Sequence, residues 1–505
     1  MSAETELKFQ LSPRKLSSVL PNDGSRQRRR DTSRHTLVST YFDTPKRKLR
    51  RHGLTLRVRE VDGQFVQTVK AGGSAGMTRG EWEDEIAGTK PDLAKTKNSP
   101  LGDLARSKKL ARKLKPVFRT NVHRTTQARR VRSSRIELAI DHGRIEVGGR
   151  SRPVSELELE LKSGQVADLF RLARTLERRT GAELDLRSKA DRGFQLATGT
   201  GLGAQRAEPI TLERAMSPRE AFSVIAHSTM RQITANADPV RTMQSEGVHQ
   251  MRVGLRRLRA AISLFKDVLP RASTARIKAE LKWLTNELAP AREIDVFLKE
   301  SIEPVADQGV PKRGLRAIQR RFAGQRSEAF DRARNALASP RYRRMLIDVL
   351  QWIEAGRAHA GDDRPIVAYA ADVLDRRIRK ARKQGKQLGD LDPRQRHKLR
   401  IRIKKIRYAL DFFESLYRDR DQNELASLSG VLKRIQSALG SLNDFMAHRE
   451  LATQAALTAP PANRRAQAFV SGFIAGEEHE AARGLMKDAA KELHRLHRLR
   501  IAPGG

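Results

Sequence analysis

Two patterns of apolar residues divide the chain. Up to about residue 195, charged and apolar residues alternate in Glu4 to Phe9, Leu54 to Arg59, Phe65 to Lys70, Glu81 to Ile86, Ile136 to Ile140 and Ser155 to Leu161. A period of two sends alternate side chains to opposite faces of a sheet, so each run predicts a strand. Over residues 166–180 the apolar positions Leu169, Leu172, Ala173 and Leu176 follow the helical period, and Gly181 suits a helix end. Tyr41-Phe42-Asp43-Thr44 reads as the start of a strand and a turn into Pro45. Residues 196–209 are small and glycine-rich, which predicts a linker. From Thr211 onward the period is helical, with Pro460-Pro461 marking a late loop.

The charged face of the strands is the unusual one. Spacing by two puts Glu4, Glu6 and Lys8 on one face, and likewise Arg57 and Arg59; Glu81, Glu83 and Glu85; Glu137 and Asp141; and Glu156, Glu158 and Glu160. On any single strand such residues read as a solvated face. Repeated on every strand, with one helix and a linker to cover the apolar face, they point instead to a closed barrel with a polar interior.

The helical half contains a repeat. Residues 248–259 (Val-His-Gln-Met-Arg-Val-Gly-Leu-Arg-Arg-Leu-Arg) align with residues 396–407 (Arg-His-Lys-Leu-Arg-Ile-Arg-Ile-Lys-Lys-Ile-Arg). The apolar positions 251, 255, 258, 262 and 265 recur as 399, 403, 406, 410 and 413, which indicates a duplicated unit. His249, Arg252, Arg256 and Arg259 form one stripe at spacings of three and four, and His397, Arg400, Lys404 and Arg407 repeat it, flanked by Arg257 and Lys405. One such stripe is an ordinary solvated helix face. Two copies with histidine in the same place favour an anion held between them.

Charge strengthens that expectation. The formal net charge is +41, with +19 in residues 1–200 and +22 in the remainder, so both halves call for a polyanion. Aromatics make up 5% of the chain, too few for a base-stacking platform, and nucleic acid is not expected as a specific partner. The chain has no cysteine, which excludes disulfides, thiolate nucleophiles and cysteine-based zinc sites. With no apolar leader at the polar start and no long apolar run, the expected setting is cytoplasmic, with no membrane partner.

The motifs of the strand half occur together. Glu4-x-Glu6-x-Lys8 is followed by Tyr41-Phe42-Asp43-Thr44, Leu56-Arg57-Val58-Arg59, Thr68-Val69-Lys70, Arg79-Gly80-Glu81, Glu156-Leu157-Glu158-Leu159-Glu160 and Ser188-Lys189-Ala190. In that order they resemble CYTH domains, the triphosphate tunnel metalloenzymes. The resemblance implies an eight-stranded antiparallel β-barrel tunnel with helices, over residues 1–197. It also implies Mg²⁺ or Mn²⁺ held by Glu4, Glu6, Glu156 and Glu158, with Glu160 as an alternative to Glu156 and with Glu81 and Asp141 as further metal candidates. Lys8, Arg57, Arg59 and Lys70 would do the catalytic work on phosphate. Arg79, Glu81, Arg124 and Lys189 would line the substrate, with Arg119 competing for the place of Arg124.

After a linker at 198–210, residues 211–500 resemble a CHAD domain, an all-α module associated with polyphosphate. The resemblance implies two pseudo-symmetric four-helix bundles. The polyphosphate-binding set would be His249, Arg252, Arg256, Arg257, Arg259, His397, Arg400, Lys404, Lys405 and Arg407. Glu293 stands where that family more often has arginine.

The expected fold class is thus two-part α+β. The expected activity is metal-dependent hydrolysis of inorganic triphosphate to diphosphate and phosphate, by direct attack of water, since no serine or cysteine nucleophile is evident. The alternatives are hydrolysis or cyclisation of an organic triphosphate (ATP or thiamine triphosphate) and a non-catalytic polyphosphate-binding protein.

Overall fold

A computed structural model describes residues 2–16, 19, 32–71, 78–106, 108–199, 203–357, 364–417 and 419–499. The chain divides into two compact units. Unit 1 holds Met1–Arg206, Met230–Pro239 and Leu337–His359; unit 2 holds the rest.

Nine strands of unit 1 form one antiparallel sheet: β1 (Ser2–Gln10), β2 (Thr32–Asp43), β3 (Leu54–Val61), β4 (Gln64–Ala71), β5 (Thr78–Ile86), β6 (Lys115–Val131), β7 (Ser134–Val147), β8 (Arg150–Ser163) and β9 (Glu183–Leu184). Their order is β5-β4-β3-β2-β6-β7-β8-β1-β9. The first residues of β1, Ser2–Thr5, also pair with Thr78–Glu81 of β5. All six alternating runs lie within strands, and their apolar members Leu7, Phe9, Leu56, Val58, Val69, Leu138, Leu157 and Leu159 are buried. Gly148 and Gly149 both have positive φ (46° and 80°) and make the two-residue turn from β7 to β8. That turn fixes the register in which Asp141 faces Glu156.

More chain covers the apolar face than the sequence suggested. Helix α1 (Val166–Thr180) buries Leu169, Phe170, Ala173 and Leu176 and ends at Gly181, φ 68°. Helix α2 (Lys189–Ala197) adds Ala190 and Phe194 to a cluster with Tyr41, Phe118, Val122, Ile145 and Val154. Leu49, Leu101 and Leu110, from the segments between strands, close a second cluster over Leu54, Leu56 and Val58.

The helical region comprises α3 (Pro218–Ala235), α4 (Ser245–Leu264), α5 (Arg271–Glu287), α6 (Ala289–Phe297), α7 (Lys312–Ala338), α8 (Pro340–Arg357), α9 (Ile366–Gly385), α10 (Pro393–Phe413), α11 (Asp419–Leu457) and α12 (Arg464–Arg498). Within unit 1, α8 packs on α1, where Arg174 donates to Asp348 at 2.6 Å and Arg343 to Glu177 at 3.0 Å. In unit 2 the repeated helices α4 and α10 pack together. Their matching apolar residues Met251, Leu255, Leu258, Ile262 and Phe265, and Leu399, Ile403, Ile406, Leu410 and Phe413, are all buried. Among the described residues no helix is long and apolar enough to cross a membrane.

One expectation is corrected. Tyr41, Phe42 and Asp43 end β2 rather than start a strand. Alternation alone does not give direction; the side chain of Asp43 sets the end. Its carboxylate accepts the backbone N–H groups of Thr44 (2.6 Å), Leu49 (2.9 Å) and Arg50 (3.1 Å), which turns the chain after the strand. Asp43 is 1% exposed, so Asp43→Ala leaves buried donors unpaired. The expected cost is about 2 kcal/mol, read as an earlier urea transition of the strand-rich circular dichroism signal.

Candidate active site

Three carboxylates meet on the polar face where β7 and β8 pair. Asp141 lies opposite Glu156, and Glu158 follows two residues on, so alternation brings all three to one side. Each offers an oxygen within 4.8 Å of the others, and all three residues are buried. Isolated carboxylates would not stay charged there. Lys189, the first residue of α2, compensates them: its Nζ lies 2.7 Å from Asp141, 2.6 Å from Glu156 and 2.9 Å from Glu158. Arg124 of β6 donates from Nε and NH2 to the two oxygens of Asp141, both at 2.7 Å, and also to Glu158. Arg192, 2% exposed, pairs with Glu156.

Burial would raise the carboxyl pKa values, but Lys189 and then Arg124 outweigh it. Asp141 is held below the usual range and Glu158 well below it. Burial likewise opposes the charge of Lys189, yet Asp141 and Glu158 raise its pKa. Local structure delivers Lys189: Ser188 caps α2 in a capping box with Asp191. A Cβ at Gly193 would overlap the Phe118 ring, so glycine there lets α2 lie close on the sheet.

From β1, Lys8 pairs with Glu6 at 2.9 Å and approaches Glu158 at 3.6 Å. Glu160 turns to Lys162 at 2.6 Å, whereas Glu156 joins the cluster. The backbones of Glu4 and Arg79 pair across β1 and β5, and their side chains lie outside the described residues. Arg119 is exposed.

A second wall comes from β3, β4 and β5. Glu81 receives Lys70 at 2.7 Å and Arg57 at 3.2 Å, and Arg57 also approaches Glu83 at 3.6 Å. Arg59 donates to Ser39 at 3.3 Å. Burial first, and then Arg57, push the Arg59 pKa down to about 10. Arg124 also repels Arg59, which ties this wall to the first. Tyr41 links them too. Burial would raise its hydroxyl pKa, but Arg57, Arg59 and Lys189 lower it. The sequence assigned Tyr41 to structure alone and missed Arg192, whose only signal is its place one turn after Lys189.

In unit 2 the repeated helices bring together part of the expected stripe. Lys404 has Arg400 on its own helix, Arg252 and Arg256 on α4, and Asp444 on α11. Burial first, and then these arginines, drive its pKa down to about 7. Burial and then Arg292 take His249 to about 4. The Nε atoms of Arg256, Arg400 and Arg407 are buried without hydrogen-bond partners. Around them, Arg252 donates to the Thr285 carbonyl at 2.9 Å, Arg400 approaches Asp444 at 3.6 Å and Arg407 donates to Gln436 at 3.0 Å. His397 meets Asn443 at 2.6 Å.

The flanking residues go elsewhere. Arg257 stacks over Phe412 and approaches Asp411 at 3.6 Å. The flanking Lys405 shares a different basic neighbourhood with Arg377 and Lys278, and Arg259, which helical spacing put in the stripe, belongs to that neighbourhood too, because it lies at the exposed edge of its helix.

An anion beside Lys404 restores its charge. Binding of a polyanion such as polyphosphate there above pH 7 would therefore take up protons, with affinity falling as pH rises from about 7 through the bound-state value and levelling off above it. Calorimetry in buffers of different ionisation enthalpy measures the uptake; Lys404→Met is expected to remove it.

Comparison with known proteins follows the same division. A family model described as CYTH domain matches residues 2–194, and one described as CHAD domain matches residues 224–453. The chain is 32% identical over 202 residues to a Haemophilus influenzae protein named inorganic triphosphatase, covering 39% of this chain and 56% of that one. It is 28% identical over 268 residues to an uncharacterised Mycobacterium tuberculosis protein, covering 51% of this chain and 49% of that one. The chain spans about half the length of these curated relatives. A crystal structure of the CHAD domain from the plant Ricinus communis aligns with TM-score 0.52 at 28% identity, covering 60% of this chain and 99% of that one.

Proposed function

The chain carries a CYTH domain at residues 2–194 and a CHAD domain at 224–453, and from that premise we propose that it hydrolyses inorganic triphosphate to diphosphate and phosphate. The observation that carries the reading is the set of buried cations on one sheet face. Arg57, Arg59, Arg124, Lys189 and Arg192 gather with carboxylates in an interior that an uncharged or cationic ligand would not suit. The Haemophilus influenzae relative named inorganic triphosphatase points to the same substrate.

In this reading the sheet closes as an eight-stranded tunnel, supported by the pairing of β1 with both β8 and β5. Residues 1–197 form the catalytic domain, 198–210 the linker and 211–500 a helical domain of two pseudo-symmetric four-helix bundles. The working compartment is the cytoplasm.

The residues fit a hard divalent cation. Their donors are carboxylate oxygens, and Lys189 already places a positive charge within 2.9 Å of Asp141, Glu156 and Glu158. Glu4, Glu6, Glu156 and Glu158, helped by Asp141, would hold Mg²⁺ or Mn²⁺, which neutralises phosphate oxygens and activates water when bound. Arg57, Arg59 and Lys70 grip phosphate oxygens from one wall, and Lys8, Arg124 and Lys189 from the other. Arginine does so with paired N–H groups. These cations stabilise the charge that grows on the departing diphosphate. Lys189 must exchange carboxylate for phosphate partners as substrate enters.

The stripe of His249, Arg252, Arg256, Arg400 and Lys404 binds longer polyphosphate. The unpartnered buried Nε atoms of Arg256 and Arg400 support this, because buried donors are costly unless paired. Asp444 lies near the stripe and moderates its charge.

The test is phosphate release from triphosphate, ATP and thiamine triphosphate with Mg²⁺ or Mn²⁺, by wild type and Glu6→Ala. Triphosphate is expected to turn over fastest, with Glu6→Ala slower by on the order of 100-fold. Faster turnover of an organic triphosphate would reassign the substrate, and no release from any of the three would refute the enzyme reading.

A further inference from the structure

Asp238 lies well past the end of the CYTH match at residue 194, yet it belongs to unit 1. It sits in the short helical segment Ala237–Arg241. Its Oδ2 accepts from Arg187 at 3.2 Å and from Arg152 at 3.4 Å. Arg187 also donates from Nε to Asp185 Oδ1 and from NH2 to Asp185 Oδ2, both at 3.0 Å. The Arg187 backbone N–H donates to Asp185 at 2.9 Å, and Gln10, at the end of β1, donates to Asp185 as well. Arg152, Asp185 and Arg187 are all mostly buried, so their charges need partners.

The network leads directly into the candidate active site. Arg187 is followed by Ser188, which caps α2; Lys189 is the first residue of that helix, and Arg192 lies one turn on. Lys189 reaches the carboxylates of Asp141, Glu156 and Glu158, and Arg192 reaches Glu156. Arg152 and Arg187 repel one another: burial first, and then Arg187, lower the Arg152 pKa, while Asp238 opposes the shift. Of the two acids beside Arg187, Asp238 is the one that also hydrogen-bonds Arg152. Without it, the repulsion falls on the residue that precedes the cap of α2.

We propose that Asp238 is a positioning residue for the phosphate site, holding Arg187 against Arg152 so that α2 presents Lys189 and Arg192 to the carboxylate cluster. The site is then completed by a residue from the segment that the CHAD family model covers. The catalytic consequence rests on the triphosphatase reading; the positioning itself does not.

Two readouts on the full chain separate these claims. The first is the rate at which an amine-reactive label modifies Lys189, followed by mass spectrometry. The second is the split of kcat and KM on triphosphate across pH. Asp238→Asn is expected to speed labelling of Lys189 by roughly 10-fold and to lower kcat by a similar factor. Asp238→Glu, and Arg152→Gln added to Asp238→Asn, are expected to restore slow labelling, the first by replacing the charge and the second by removing the repulsion. Polyphosphate binding should stay at the wild-type level in all three variants.

Wild-type labelling and wild-type kcat/KM in Asp238→Asn would overturn the proposal. So would fast labelling in Asp238→Asn that neither the glutamate nor the double variant reverses, since that is loss of packing rather than of charge placement. A wild-type protein that turns over no triphosphate removes the catalytic consequence, and the labelling series still decides the positioning.

Discussion

The interaction on which the rest depends is the ammonium of Lys189 held between Asp141, Glu156 and Glu158. Burying three carboxylates together is tolerable only with cations among them, because like charges at this spacing cannot all remain ionised otherwise. Lys189, Arg124 and Arg192 supply that compensation from α2 and β6. The consequence is a sheet face that is polar yet buried, which reverses the usual layout of a β protein. Apolar residues such as Leu7, Phe9, Leu157 and Leu159 then face the other way, and helices such as α1 and α2 cover that side. Under the proposed function, a site assembled from paired charges is also one that a polyanion could enter by exchange: phosphate oxygens would take the place of carboxylates on the cations, leaving the carboxylates to hold a divalent metal ion that would neutralise phosphate charge.

The helical half meets the same constraint with the opposite balance. Its half-buried stripe of cations has few acids beside it; Asp444 approaches Arg400 and also faces Lys404. The cost shows in Lys404 and His249, whose pKa values fall to about 7 and about 4 as burial and neighbouring arginines disfavour charge. The carboxylate cluster of the strand half is balanced by its own cations, whereas the stripe leaves cations with few acids beside them; under the proposed function that difference would suit the first site to exchange and turnover and the second to retention.

The sequence made the strands legible where charged residues alternate with aliphatic ones, as in β1, β3 and β8, because both faces then carry a signal. It concealed β6, where threonine and arginine fall on both faces of Lys115–Val131. The duplicated helices were legible for the same reason: their apolar positions coincide and all are buried. Side-chain direction was not. Arg257 and Lys405 stand beside the stripe in sequence but turn to Asp411 and toward Lys278, which helical spacing cannot tell from an inward turn. Asp141 was only a further metal candidate in the sequence; the Gly148–Gly149 turn sets the β7–β8 register and places Asp141 opposite Glu156. Asp238 was out of reach, since it is 51 positions from Arg187 and no local pattern links them.

Under the proposed function the Lys189 cluster handles triphosphate while the Lys404 stripe handles longer chains. Phosphorus NMR of triphosphate turnover, run beside equilibrium binding of long-chain polyphosphate for Lys189→Met and Lys404→Met, tests it most directly. The account predicts equal amounts of diphosphate and phosphate from wild type. It predicts turnover slower by on the order of 100-fold in Lys189→Met with polyphosphate binding intact, and the reverse pattern in Lys404→Met. Wild-type turnover by Lys189→Met, or loss of both properties together in either variant, would contradict it.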